Sequence, residues 1–264
     1  MLRRLACCLL AMLLMTSESM VFAQQDQLER INGKPNLNGI WQAINTAHWN
    51  LEAHPAQKID KLWNLGVFGA IPAGQSVIVE GSIPYLPGAR ARQEENALNW
   101  PQGDPVTSCY LPGIPRATYM PFPFQIIQTG HDILMVYEYA STNRKIHMSD
   151  HIAPPVDTWM GRSNGAWSGD ILLVETTGFN GKTWLDRSGN HHSPAMKVTE
   201  RFTLIDANHI DYQATIEDPG TFTGPWTIRM PLYRRLDTNV QILEFRCVPF
   251  VEEMLYKDLE LSGE

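Results

Sequence analysis

The sequence predicts a mainly β fold: an antiparallel meander closed into a barrel or sandwich, with a short N-terminal helical and loop region. Three observations carry this. From Phe124 onward the chain is a succession of short runs rich in β-branched and aromatic residues. Turn-forming clusters separate the runs, among them Thr129-Gly-His-Asp132, Ser168-Gly-Asp170, Asp206-Ala-Asn208 and Asp218-Pro-Gly220. Only one stretch, ahead of the prolines that end at Pro123, is built of strong helix formers.

The elements follow in order. Arg3 and Arg4, the apolar run 5–15 and a more polar stretch ending Val21-Phe22-Ala23 read as a cleavable export signal over residues 1–23. The apolar run is shorter than the roughly twenty residues that span a bilayer, which argues against an uncleaved anchor. Cys7 and Cys8 sit too near the start for a lipoprotein signal. Residues 24–264 are then one β-rich domain; a division near Pro105 is the alternative, but nothing there resembles a linker. Residues 24–38 form a polar lead-in and 37–42 a first strand. Apolar residues at mixed spacing over 46–65 fit a short helix, and 77–80 is a brief strand. Residues 88–99, just behind Pro87, are the best helix. Pro105, Pro112, Pro115, Pro121 and Pro123 then exclude any long helix or strand. Strands are expected at 124–129, 133–139, 144–148, 171–176, 197–205, 210–217, 227–232 and 241–248.

Charge and cysteines bound the function. The formal net charge is −7, and losing the leader with Arg3, Arg4 and Glu18 makes it one unit more negative. No basic cluster appears, which argues against a nucleic-acid or anionic-membrane partner. No later stretch is apolar enough to insert in a membrane once the leader is gone. Of four cysteines, Cys109 and Cys247 survive the leader, and an exported pair most simply forms one disulfide; two free buried thiols are the alternative. The chain-entropy model values so long a loop at roughly 5 kcal/mol, as an upper figure.

Period-two alternation places charges on faces that otherwise look inward. Glu200 shares a face with Val198, Phe202 and Leu204, and Arg144 with Ile146 and Met148. Glu138 is in phase with Leu134 and Val136, and Glu175 with Leu173. Either these are Arg–Glu pairs satisfying each other inside a barrel, or they floor a polar pocket for a small organic molecule. A bulge on one strand would instead reverse its faces.

The loop 178–194 is the most site-like segment, long for a hairpin connection and carrying Trp184, Asp186, His191, His192 and Ser193. A carboxylate near a histidine suits general acid–base work, and a solvated turn with Asp186 capping amides is the plain alternative. Ser163 stands in a G-x-S-x-G match, but prolines before it and a turn after it lack the strand-to-helix elbow. His147 and His151 have a zinc-like spacing that shares one face only on a helix, and this segment is not helical. The tryptophans suggest a sugar platform, yet aromatics at turn boundaries more commonly pack the core or its rim.

Several segments are similar to a large family of exported bacterial proteins of unassigned function. They are Tyr85-Leu-Pro87, the run from Cys109 to Arg116, Pro123 to Gln128, and Trp159 to Thr176. Glu200-Arg-Phe202 and Ile216 to Pro219 complete the set. The resemblance covers nearly the whole chain after the leader and implies an exported, single-domain protein. It brings no reaction, cofactor or catalytic residue.

The expectation is therefore an exported β-rich protein with a pocket for a small organic molecule. As an enzyme it would run cofactor-free acid–base chemistry: hydrolysis, elimination or isomerisation. His192 would transfer the proton, Asp186 orient it, Glu200 serve as a second acid or base, and Arg144 stabilise an anion. Trp184, Trp159, Glu138, Tyr137 and His191 would contact the ligand. A lipocalin-like carrier is the first rival; a metal-dependent protein using His147, His151, His191 or His192 is the second. No nucleotide loop, haem attachment site or Walker motif is present, and no metal or other cofactor is expected.

Overall fold

The computed structural model describes residues 28–59 and 70–248. The leader over 1–23 and part of the stretch 46–65 lie outside the described residues. Two short ribbons stand apart from the main sheet: β1 (Arg30–Ile31) with β2 (Lys34–Pro35), and β4 (Gln57–Lys58) with β5 (Ala70–Ile71).

The main sheet is a closed barrel of nine strands. They are β3 (Gly39–Ala43), β6 (Phe124–Gln128), β7 (Ile133–Tyr137), β8 (Thr142–His147) and β9 (Arg162–Ser168), then β10 (Ile171–Thr177), β11 (Lys197–Asp206), β12 (His209–Glu217) and β13 (Trp226–Arg234). Around the ring the order is β10, β11, β12, β13, β3, β6, β7, β8, β9 and back to β10. Strands that alternate in direction close a ring only in even number, so a ring of nine needs a parallel neighbour. That neighbour is β8 against β9, paired only at Ile146–Ser163 and His147–Asn164. A parallel pair requires a crossover, and residues 148–161 supply it.

The strands form where side chains alternate. On β12, Ile210, Tyr212, Ala214 and Ile216 are buried and the residues between them are not; β11 repeats this with Val198, Glu200, Phe202 and Leu204. Trp41, Phe124, Tyr137, Phe202 and Tyr212 are almost wholly buried and belong to one continuous core. A single helical turn, Arg116–Tyr119, is buried throughout and packs on β3.

Several expectations need correction. Residues 162–168 form strand β9, which the sequence reading passed over. Residues 241–248 form no strand: the closed ring leaves no free edge, and the segment is fixed by the Cys109–Cys247 disulfide instead. Among the described part of 46–65 there is a turn at 47–49 and no helix. Residues 77–80 contribute one bridge, Ile78 to Ile228 on β13. The proline-rich stretch nonetheless holds the buried turn at Arg116–Tyr119 and a 3-10 turn at Pro105–Ser108. The expected helix is present as Pro87–Leu98 with its proline in the first turn, and none of its residues is buried.

Candidate functional site

The loop 178–194 folds back on itself, with a bridge between Trp184 and His191 and the Leu185 amide donating to the Asn190 carbonyl at 2.5 Å. Asp186 sits at the turn, fully buried. It accepts hydrogen bonds from the backbone N–H groups of Leu51 (2.9 Å), Ser188 (2.9 Å) and Asn190 (3.3 Å), and from Asn190 Nδ2 (2.5 Å). Burial pushes its pKa up to about 7, opposed by these donors and by the Arg116 charge. Tyr85 extends the network by donating to Asn190 Oδ1 at 2.9 Å. Asp186 therefore ties three segments together: the turn before residue 52, the loop itself, and Tyr85.

It does not orient His192. That ring is buried, with Nε2 against Thr183 Oγ1 at 2.6 Å, Nδ1 against the Ser193 carbonyl at 2.8 Å, and its edge toward Phe179. Burial lowers its pKa, with the Ser193 carbonyl and Asp218 acting in the opposite direction. Both ring nitrogens are therefore engaged within the fold. Ser193 donates from N and Oγ to Asp218, each at 2.6 Å.

Glu200 and Arg144 meet elsewhere, inside the barrel. The Arg144 Nη2–Glu200 Oε2 contact is the closest between them, and Nη1 reaches Oε1 at 3.2 Å. Arg144 also donates from Nε to Ser163 (2.8 Å) and from Nη2 to Thr176 (2.9 Å), while the Tyr212 hydroxyl donates to Glu200 Oε1 (2.9 Å). A buried charge pair is tolerable when further hydrogen bonds support both partners, and Ser163, Thr176 and Tyr212 take part in them here. Of the two readings of inward charge, the satisfied ion pair is the one found. Glu138 and Glu175 face outward: the inward residues of β7 are Ile133, Met135 and Tyr137, and those of β10 are Leu172, Val174 and Thr176. Both parities of these strands are apolar in the sequence, so alternation alone could not choose a face. Glu138 instead accepts from the Leu243 amide at 3.0 Å.

The remaining named residues are dispersed. Tyr137 lies in the barrel core against Phe124, its hydroxyl 3.4 Å from Met135 Sδ. Trp159 stacks on Tyr110 at 4.6 Å. His151 Nε2 is 2.9 Å from the Gly165 carbonyl. Among the described residues no group of three His, Cys, Asp or Glu side chains is placed to hold a metal ion. No described helix is long and apolar enough to cross a membrane.

Trp184 and His191 do come together. They line a cleft of about 290 Å³ with Arg92, Asn99, Lys182 and Thr183. The helix Pro87–Leu98 forms its far wall, docked by Gln93 Nε2 to the Ser188 carbonyl (2.5 Å) and Asn96 Nδ2 to the Gly189 carbonyl (3.1 Å). Gly189 permits that approach: it adopts φ +81°, and a Cβ there would lie 2.7 Å from the Ala97 nitrogen. Tyr85 stacks on the His191 ring at 5.9 Å. His191 Nδ1 is buried without a hydrogen-bond partner, and burial followed by the Arg92 charge lowers its pKa to about 4. The residues that sequence reasoning missed are Arg92 and Asn99, both exposed on or beside a helix far away in sequence, and Lys182, which stood unremarked two positions before Trp184. Only Lys182 carried a local signal.

Compared with protein-family models and with curated proteins, the chain matches none.

Proposed function

We propose that this protein binds a small planar organic anion in the cleft between the helix Pro87–Leu98 and the Trp184–His191 hairpin. The observation that carries the reading is the composition of that cleft. Arg92, Lys182 and His191 line it and no carboxylate does, while Trp184 supplies a flat apolar surface. A few placed polar groups beside an aromatic wall are what a small-molecule site requires. Two cations lining one cleft without an acid favour an anionic occupant. The barrel interior is less suited: large aromatics and the satisfied Arg144–Glu200 pair fill it, so a lipocalin-like role moves to the outside of the barrel. Work outside the cytoplasm is supported by the export signal read in residues 1–23, by the resemblance to exported proteins, and by the Cys109–Cys247 disulfide.

A second reading, cofactor-free acid–base catalysis, rests on His191 rather than His192, because only His191 has a nitrogen left over. A base with a pKa of about 4 is weak at neutral pH, so binding is the favoured function.

Calorimetric titration with benzoate and with uncharged benzamide tests the proposal. Benzoate is expected to bind the more tightly, with Lys182→Gln and Arg92→Gln each weakening it by about tenfold. Equal affinity for the two probes, or indifference to both substitutions, would overturn it.

A further inference from the structure

We infer that a second cleft, at the parallel seam of the barrel, is a binding site for a compact oxyanion such as phosphate or a phosphate ester. Its origin is topological. An odd ring must contain one parallel pair, and β8 and β9 are joined by only two residue pairs before they diverge. Where they part, a cleft of about 240 Å³ opens, walled on the other side by the crossover.

The lining is cationic. Lys145, His147 and Arg162 contribute to it, and no carboxylate does. Arg144 also reaches the cleft, but its guanidinium charge is neutralised by Glu200 within the barrel. Arg162 is only partly engaged: Nη2 donates to the Asp150 carbonyl at 3.3 Å, while Nε is buried and has no partner. Lys145 keeps one exposed ion pair, to Asp132 at 3.7 Å. The field is registered by His147, whose pKa is lowered first by burial and then by Arg162 and Lys145, with Asp132 and Asp150 opposing. Pro154, Pro155 and Val156 form an apolar side suited to a short organic substituent. An arginine and a lysine lining one small space match an oxyanion head group.

This site is separate from the Trp184 cleft and does not depend on it. Calorimetry at low salt with inorganic phosphate and with phenyl phosphate provides the test. Both probes are expected to bind; tighter binding of the phenyl ester identifies an organic phosphate as the natural class, and equal binding a free anion. Arg162→Gln and Lys145→Gln should each weaken binding by about tenfold, whereas Lys182→Gln should leave it unchanged. Lys145 is solvent-exposed, so its substitution reports on binding even if the Arg162 variant folds poorly. Absence of binding by wild-type protein, or phosphate affinity untouched by Lys145→Gln, would overturn the inference.

Discussion

Asp186 is a carboxyl group the fold has removed from water, and its stability contribution depends on pH. Its folded pKa of about 7 stands above the ordinary 3.8. The native state thus holds a proton across a window in which the unfolded chain has lost it. The stabilisation is complete below the ordinary value and is lost as pH rises through about 7. His191 and His48, lowered to about 4 and about 3 by burial, act with the opposite sign: their contribution is present above the ordinary 6.5 and is lost as pH falls toward those values. The test is therefore a difference. Asp186→Asn keeps the shape without the titration, so the stability gap between wild type and variant should shift in the variant's favour from pH 4 to 7, by at most about 1.4 kcal/mol per pH unit. Urea unfolding at several pH values measures it, and a gap constant with pH would show that the carboxylate stays ionised. Sequence reasoning paired Asp186 with His192 as the carboxylate that orients the ring; in the fold the two have separate hydrogen-bond partners. It could not see that the Leu51 amide and Asn190 claim the carboxylate, because the first of these lies 135 positions away in sequence.

At the scale of elements, the C-terminal segment after β13 is held by a covalent bond, aromatic contacts and isolated hydrogen bonds rather than by a ladder. Phe245 packs with Phe122 and Tyr139, and Cys247 bonds to Cys109 across 138 positions. Replacing both cysteines with serine should free this segment while the barrel persists. The expected loss is about 2–5 kcal/mol, together with rapid proteolytic cutting between residues 236 and 247 and an unchanged far-ultraviolet spectrum. A protease-resistant segment in that variant would show that the aromatic contacts suffice. The same segment explains one error of sequence reading: alternating Leu243, Phe245 and Cys247 look like a strand, but a strand needs an edge. The opposite error, at β9, has a local cause. Its inward residues are Ser163 and Gly165, and a side chain at Gly165 would collide with Ile146 and Met148. Large side chains on and just after the neighbouring strand β8 force small ones here, which erases the apolar alternation by which strands are recognised.

For the whole molecule, the antiparallel β meander, as barrel or sandwich, was legible because turn clusters separate the runs and long strands such as β11 and β12 alternate cleanly. The parallel pair was not legible, since it follows from the total count of strands, and one strand was hidden. The seam is also where local opening is cheapest. Two residue pairs join β8 to β9, against eight between β12 and β13. Backbone amides of β8 and β9 facing the seam should exchange with solvent faster than those between β11 and β12, and hydrogen-exchange mass spectrometry resolves the two. Uniform protection around the ring would mean that the barrel opens only on global unfolding.

A seam of this kind also bears on how one molecule meets another. Parted there, the ring becomes an open nine-stranded sheet whose two edges, β8 and β9, are templates for pairing with a second chain. What stands at those edges is Lys145, Arg162 and the crossover with Pro154 and Pro155. Charge and proline are the devices that keep exposed strand edges from recruiting neighbours. The crossover that the odd ring demands thus also serves as a guard, keeping the opened sheet from seeding aggregates.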